Sequence, residues 1–412
     1  MTGDQPAGED ALKSDAGLAA RLARSLAGVA ALPTSLRAVL DYYATTGNLA
    51  LDVVRIQRRV DAYVDGVIAD AFVDVERSIA EEAGVGPADV SFAYDTKLTM
   101  PAELTLGHVY QRARTSGTSG TSSTSGTSST SGTSSTSGTS STSESTVIDR
   151  AEDVTELVVV ALLDGDMRDA INDAEYDDFL VQGADGVDRA RAAELAQEAL
   201  RAQVDELFER FPDAVRDAYR EAVDRSEAHQ DRDPYFRDLM ADAQAGDPDA
   251  VEAIRDEYKY GSFDAPDHDA EPRIRPEELF VDAELTFPYL KTQYGRVGVI
   301  YDGMIEMYRA AGIEIEDTFK RSIVFTIIGA QIWLDDIDDY DADLAETQLT
   351  PVTAEYLLAD SDREAYRNVV DATNDYLEAA ERYAAATDSP LAGIGTNYVF
   401  HSGTPSVLPG HE

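Results

Sequence analysis

The chain has 412 residues, and its 79 Asp plus Glu against 34 Lys plus Arg give a formal net charge of -45. That balance excludes nucleic-acid binding through a basic face, because phosphate attraction needs clustered cations, and it disfavours docking on anionic lipid. There is no cysteine, so disulfide frameworks, thiolate zinc sites and thiol catalysis are excluded.

Only five of the basic residues are Lys, and Asp outnumbers Glu by 49 to 30. Such an acidic, Lys-poor composition is that of a halophilic protein. Concentrated salt screens a self-repulsion that strains the compact state in dilute buffer. Met1 to Asp15 is acidic and polar, with no positive segment leading into an apolar stretch. The longest apolar run near the C-terminus, Ile323 to Leu334, is shorter than the roughly 20 residues of a membrane span and carries Gln331. The expectation is a cytoplasmic chain with no transmembrane segment.

In chain order, residues 1–49 read as an N-terminal helical extension. Val53, Ile56, Val60, Val64, Val67, Ala71 and Val75 then recur at three- and four-residue steps, which puts them on one helical face. Thr115 to Thr146 is a Ser/Thr/Gly tract with a recurring TSSTSG unit and no apolar residue, and is expected to be a flexible loop or linker. Val154 to Leu163 is a nearly continuous apolar run that periodicity alone cannot assign to strand or helix. The helical patterns on either side favour helix. Ala190 to Phe211 is rich in helix formers and stops at Pro212. Residues 229–275 are Asp-, Pro- and Gly-rich and read as an irregular acidic insertion with one short helix. Helices are expected over Glu277–Ala310, Glu316–Tyr340 and Thr353–Ala386, and an irregular tail over 388–412. The predicted fold class is all-α.

The densest charge is the segment QIWLDDIDDYDADL, with Asp335, Asp336, Asp338, Asp339, Asp341 and Asp343 directly behind an apolar stretch. On a continuous helix Asp335, Asp336 and Asp339 share a face. Three ionised carboxylates on one turn call for a cation, and Mg²⁺, a hard ion with oxygen ligands, suits them. A DDxxD pattern arises by chance about once in so acidic a chain, so a solvated acidic patch is the competing reading. Its position behind an apolar helix gives the motif weight. A second acidic turn, Asp164, Asp166 and Asp169, also follows an apolar run.

The order and spacing of these motifs resembles the trans-isoprenyl diphosphate synthases, or polyprenyl synthetases, of the class I isoprenoid synthase fold. Lys97 and Pro101 stand where that family has GKRxRP. Asp166 and Asp169 stand in its first DDxxD, with Gly165 in place of the leading Asp. Ala193 to Leu200 is similar to its AxLAGDAL helix, and Lys291-Thr292 to its KT pair. Asp335, Asp336 and Asp339 match its second DDxxD, and Gln348 to Pro351 its KxTxP element. The family's RRG after the first Asp motif is absent.

The resemblance implies one helical domain over 50–387, with insertions at 115–146 and 229–275. It implies Mg²⁺ held by Asp166, Asp169, Asp335, Asp336 and Asp339. Lys97, Lys291 and Thr292 would bind the diphosphate of an allylic isoprenyl substrate, and Asp335, Asp336, Asp339 and Lys291 would act in catalysis. Metal-assisted departure of pyrophosphate would leave a carbocation for condensation or cyclisation. Arg168, Arg296 and Arg321 are candidate substitutes for the missing family cations. The alternative is a non-catalytic subunit or pseudoenzyme that partners an active prenyl synthase. The resemblance also implies a homodimer or a heterodimer with a related synthase. The five histidines show no metal-ligand spacing.

Overall fold

The computed structural model describes residues 32–47, 51–94, 99–119, 139–174, 179–263 and 272–411, with positions 23, 25–27, 29 and 176. The described chain is mostly helical, with one two-stranded antiparallel sheet. No described helix is long and apolar enough to cross a membrane. The chain forms two compact units, neither contiguous in sequence. The first comprises Met1–Val53, Glu221–Gly303 and Glu316–Glu412, and the second Val54–Arg220 and Met304–Ile315.

In the second unit, α2 (Leu51–Ala83) follows α1 (Thr34–Thr46) in the chain and carries the periodic face. Ile56, Val60, Val64, Ala71 and Val75 are buried, whereas Arg58 and Asp65 on the other side are exposed. α3 (Met100–Ser119) packs on α4 (Thr139–Asp173). Both helices extend into the Ser/Thr/Gly tract, against the expectation of a loop from 115 onward. Adding a residue to an existing helix costs far less than nucleating one, so polar flanks can be drawn in. Positions 120–138 of the tract lie outside the described residues. The ambiguous apolar run is the middle of α4, where Leu157 to Leu163 are all buried; a helix apolar on all sides is a core helix.

α5 (Arg189–Phe208) packs along α4. Its N-cap Asp188 accepts a hydrogen bond from the Arg191 N–H at 2.8 Å, satisfying one otherwise orphaned donor. Strands β1 (Ser91–Tyr94) and β2 (Phe179–Gln182) pair with Phe92 opposite Val181. The Phe92 ring meets Phe72 edge-on at 5.0 Å and stacks on Phe179 at 5.7 Å. From the second segment of this unit, the Tyr308 hydroxyl hydrogen-bonds Thr155 Oγ1 at 2.7 Å.

The first unit is built on α12 (Asp317–Ala330) and α15 (Asp362–Ala386), which pack closely. Their interface is filled by rings: Phe325 lies 5.2 Å from Phe280, 5.9 Å from Phe287, 6.0 Å from Tyr376 and 6.1 Å from Tyr383. The segment 229–275, expected to be irregular, holds α7 (Asp233–Gln244) and α8 (Pro248–Ala253). α8 continues into a π-helical turn, Ile254–Lys259. Phe236, Met240, Ile254 and Tyr258 of this segment form a core cluster with Tyr289 and Leu349. Acidic composition hides a few well-spaced apolar anchors there.

The expected tail is also structured. Pro390–Ser402 is a helix, α16, preceded by α15 and packed on α1 and α12, with Leu391, Ala392, Thr396 and Val399 buried. Conversely, the single helix expected over Glu277–Ala310 is interrupted. α9 (Pro276–Leu279), a 3₁₀ turn at Glu284–Thr286, α10 (Leu290–Gln293), a π turn at Tyr294–Gly298 and α11 (Val299–Ala310) take its place. Pro288 and the left-handed Tyr289, at φ 67°, stop a continuous helix.

Candidate functional site

Three π-helical turns of the first unit each supply one member of a buried polar group. Ile254–Lys259 supplies Tyr258, Tyr294–Gly298 supplies Arg296, and Gln331–Asp336, which continues α12, supplies Asp336. A π turn inserts a residue into the helical register and re-aims the side chains beyond it, and such turns are frequent at functional sites.

Arg296 Nη1 lies 3.2 Å from Asp336 Oδ1, and the Asp336 side chain is 1 % exposed. Gln293 Nε2 donates to the Tyr258 hydroxyl at 3.3 Å, and that hydroxyl donates to the Leu349 carbonyl at 2.7 Å. The Gln331 amide donates to the Asp335 carboxylate and reaches Asp336 Oδ1 at 3.4 Å. Two buried acceptors, Asp336 Oδ2 and Gln293 Oε1, have no hydrogen-bond partner among the described residues.

Electrostatics follows from this packing. Burial pushes the Asp336 carboxyl up to about 7, outweighing the opposing pull of Arg296, and Asp335 and Asp343 push the same way. Asp343 is raised to about 6, again by burial first, with Arg296 opposing and Asp339 and Asp335 adding to it. Burial, then the like charges of Asp335 and Asp338, raise Asp339. Burial works against the Arg296 charge, but Asp336, Tyr258, Asp335 and Asp343 more than offset it, so its pKa is raised.

The shared face expected for Asp335, Asp336 and Asp339 is not formed. The helix passes into the π turn Gln331–Asp336, which contains the first two motif aspartates, and ends in a turn at Ile337–Asp339, with α13 (Tyr340–Glu346) beginning after it. Asp336 is thereby turned into the core, while Asp335 and Asp339 are exposed.

Thr292 is buried, and its hydroxyl donates to the carbonyls of Tyr258 at 3.0 Å and Tyr289 at 3.1 Å, so it is engaged by backbone. Lys291 is half-buried. Lys97 lies outside the described residues. Thr350 and Pro351, in the expected KxTxP position, serve as N-cap and first residue of α14 (Pro351–Leu358), where Thr350 and Thr353 form a capping box.

The first acidic turn belongs to the second unit, in the last three turns of α4. Asp164 is buried, accepts from Gln197 Nε2 at 3.0 Å and pairs with Arg168 Nη2 at 3.5 Å. Burial raises its pKa against the pull of Arg168. Asp166 is half-buried and Asp169 exposed. Asp166 and Asp169 thus fall in one unit, and Asp335, Asp336 and Asp339 in the other.

Mg²⁺ needs several oxygen ligands around one point. Among the described residues no three His, Asp or Glu side chains are so grouped. Of Asp335, Asp336 and Asp339 only Asp336 is aimed inward, and it already has a guanidinium beside it. The donor set therefore does not fit the divalent ion that the motif resemblance implies.

Tyr258 and Gln293 gave no sign in the sequence, since neither sits in a motif. Their roles follow from π turns, which local patterning does not reveal. Comparison of the chain with models of known families, with curated proteins and with solved structures gives no match.

Proposed function

We propose that the chain is a divergent, non-catalytic relative of the trans-isoprenyl diphosphate synthases, acting by association with an active prenyl synthase. The Arg296–Asp336 ion pair carries this reading. Arg296 supplies a permanent positive charge to the carboxylate that the resemblance assigns to a metal. A divalent ion at Asp336 Oδ1 would displace this guanidinium and work against its positive charge, and removing a partner from a buried carboxylate is unfavourable. Gly165 in the first Asp motif, Gln348 for lysine and the missing arginine pair point the same way.

The test is an assay of the chain purified in molar salt with Mg²⁺, an allylic isoprenyl diphosphate and isopentenyl diphosphate. No pyrophosphate release is expected, together with co-elution with a prenyl synthase from the same source. Release that disappears in Asp335→Ala would overturn the reading.

One observation favours the enzymatic alternative, a Mg²⁺-dependent prenyltransferase using Asp335, Asp336, Asp339 and Lys291. Asp336, Asp339 and Asp343 all have raised pKa values behind an apolar helix, and perturbed carboxylates gather at functional sites. In that case the Arg296 pair opens before Asp336 acts, and Arg296→Gln tightens Mg²⁺ binding. An unchanged Mg²⁺ affinity in Arg296→Gln would exclude it.

A further inference from the structure

The sequence holds four Asp–Gly pairs, Asp65-Gly66, Asp164-Gly165, Asp185-Gly186 and Asp302-Gly303, and no Asn–Gly pair. An aspartate followed by glycine is open to attack by the next backbone nitrogen, because glycine has no side chain to shield that atom. Three of the four pairs lie inside α2, α4 and α11. A helix fixes ψ near −42° and holds each interior N–H in its ladder, so ring closure there waits for the helix to open. Asp164 and Asp302 are also buried and paired with Arg168 and Lys320.

Asp185-Gly186 alone stands outside a helix. It lies in the connection between β2 and α5, the helix that leads through Pro212 to α6 (Asp213–Gln230). The Val187 N–H donates to the Ala184 carbonyl at 3.1 Å, closing a turn with Asp185 and Gly186 at its centre. Gly186 has φ 108°, a conformation that glycine adopts without steric cost. Both residues are exposed, and with Glu82 and Arg191 they line an open hollow at the surface. Asp185 makes no hydrogen bond or ion pair with any described residue.

We propose that Asp185 is a covalent modification site, at which the chain isomerises spontaneously to isoaspartate. The Gly186 backbone nitrogen attacks the Asp185 side-chain carbonyl carbon. The N–Cγ bond forms, the Cγ–OH bond breaks, and the hydroxyl leaves as water with the amide proton. Water then reopens the succinimide. Opening at Cγ restores aspartate. Opening at the backbone carbonyl leaves the chain running through Cβ, with the α-carboxylate free. The net change is an isomerisation with no co-reactant but water.

The lengthened backbone has little slack around it. A methyl at Gly183 would overlap the Asp89 carbonyl, which fixes one side of the turn, and Asp188, the N-cap of α5, fixes the other. The Ala184–Val187 turn therefore breaks, and the cap of α5 loosens with it.

The test ages the full chain in molar salt at mildly acidic pH, where a protonated carboxyl can lose water. Isoaspartate is counted by methyl transfer from labelled S-adenosylmethionine with an isoaspartyl methyltransferase, and placed by electron-transfer fragmentation of the peptides. A helical pair reacts only after local opening, so isoaspartate at 185 is expected to exceed that at each helical pair by more than about tenfold. Asp185→Glu, at an exposed position with no partner to strand, is expected to keep the wild-type far-UV circular dichroism and to remove most of the methyl acceptance. No gain at 185 over the fresh chain, an even spread over the Asp–Gly pairs, or unchanged methyl acceptance in Asp185→Glu would overturn the assignment.

Discussion

Lys259 Nζ lies 2.6 Å from Glu355 Oε1, and the carboxylate side chain is 1 % exposed. Tyr289 Oη donates to the same oxygen at 2.8 Å, and Asn368 Nδ2 to the other at 3.1 Å. The π turn after α8 is thereby joined to α14 and α15 through one fully partnered buried acid. Removing one member of such a pair leaves an uncompensated charge, which costs about 3–5 kcal/mol. Lys259→Met is expected to lose about that much in urea unfolding carried out in molar salt. Lys259→Met with Glu355→Gln should recover most of the loss. A single-variant loss below about 1 kcal/mol would mean that water reaches the carboxylate.

Much of the fold was legible because its helices follow simple periods. The α2 face and the apolar middle of α4 needed only spacing and length. What was missed had weak or distant signals. α8 starts at Asp247–Pro248 and α16 at Ser389–Pro390, and Pro at the first helical position is a start signal; both were submerged in Gly-, Pro- and Asp-rich composition. The strands β1 and β2 are four residues each and lie far apart in the chain, so neither predicts the other. For the site, the aspartates were visible but their facing was not. Helical projection assumes 3.6 residues per turn, and the Gln331–Asp336 π turn breaks that assumption at the motif.

Asp336 makes stability depend on pH in a definite direction. An ordinary aspartate titrates near 3.9, and this one near 7. Between about pH 4 and pH 7 the folded chain therefore holds a proton that the unfolded chain has released, and the ion pair with Arg296 is complete above that window. The associated stability is fully present below about pH 4 and is lost as pH rises through about 7. Asp343, raised to about 6, acts in the same sense. Urea midpoints measured from about pH 4 to pH 8 should fall less steeply for Asp336→Asn than for the wild type. Parallel curves would contradict the burial of this group.

A net charge of -45 predicts that salt supports the folded state. Screening lengths shrink from about 30 Å at 0.01 M to about 3 Å at 1 M. Helical circular dichroism should collapse on dialysis from molar to millimolar salt. A spectrum indifferent to that change would show that the core outweighs the repulsion.

Trp333 is the chain's single tryptophan and sits in the same π turn as Asp335 and Asp336. Its indole N–H donates to the Phe400 carbonyl at 3.0 Å, and its ring stacks on Phe400 at 6.2 Å. A methyl at Gly403 would overlap the indole. Gly403→Ala is expected to shift the tryptophan emission and to cost about 1–3 kcal/mol, the usual range for overpacking. An unaltered emission spectrum would place α16 elsewhere.

The interleaved path of the chain has a practical corollary for dissection. Residues 54–220 expressed alone would lack the returning segment Met304–Ile315, and with it the buried Met304, Ile305, Met307 and Tyr308. Thr155 would lose its hydroxyl partner inside an emptied socket. Truncation at either crossing leaves a fragment with a hole in it, so separate study of the two bodies calls for a circularly rearranged or spliced gene in place of a simple cut.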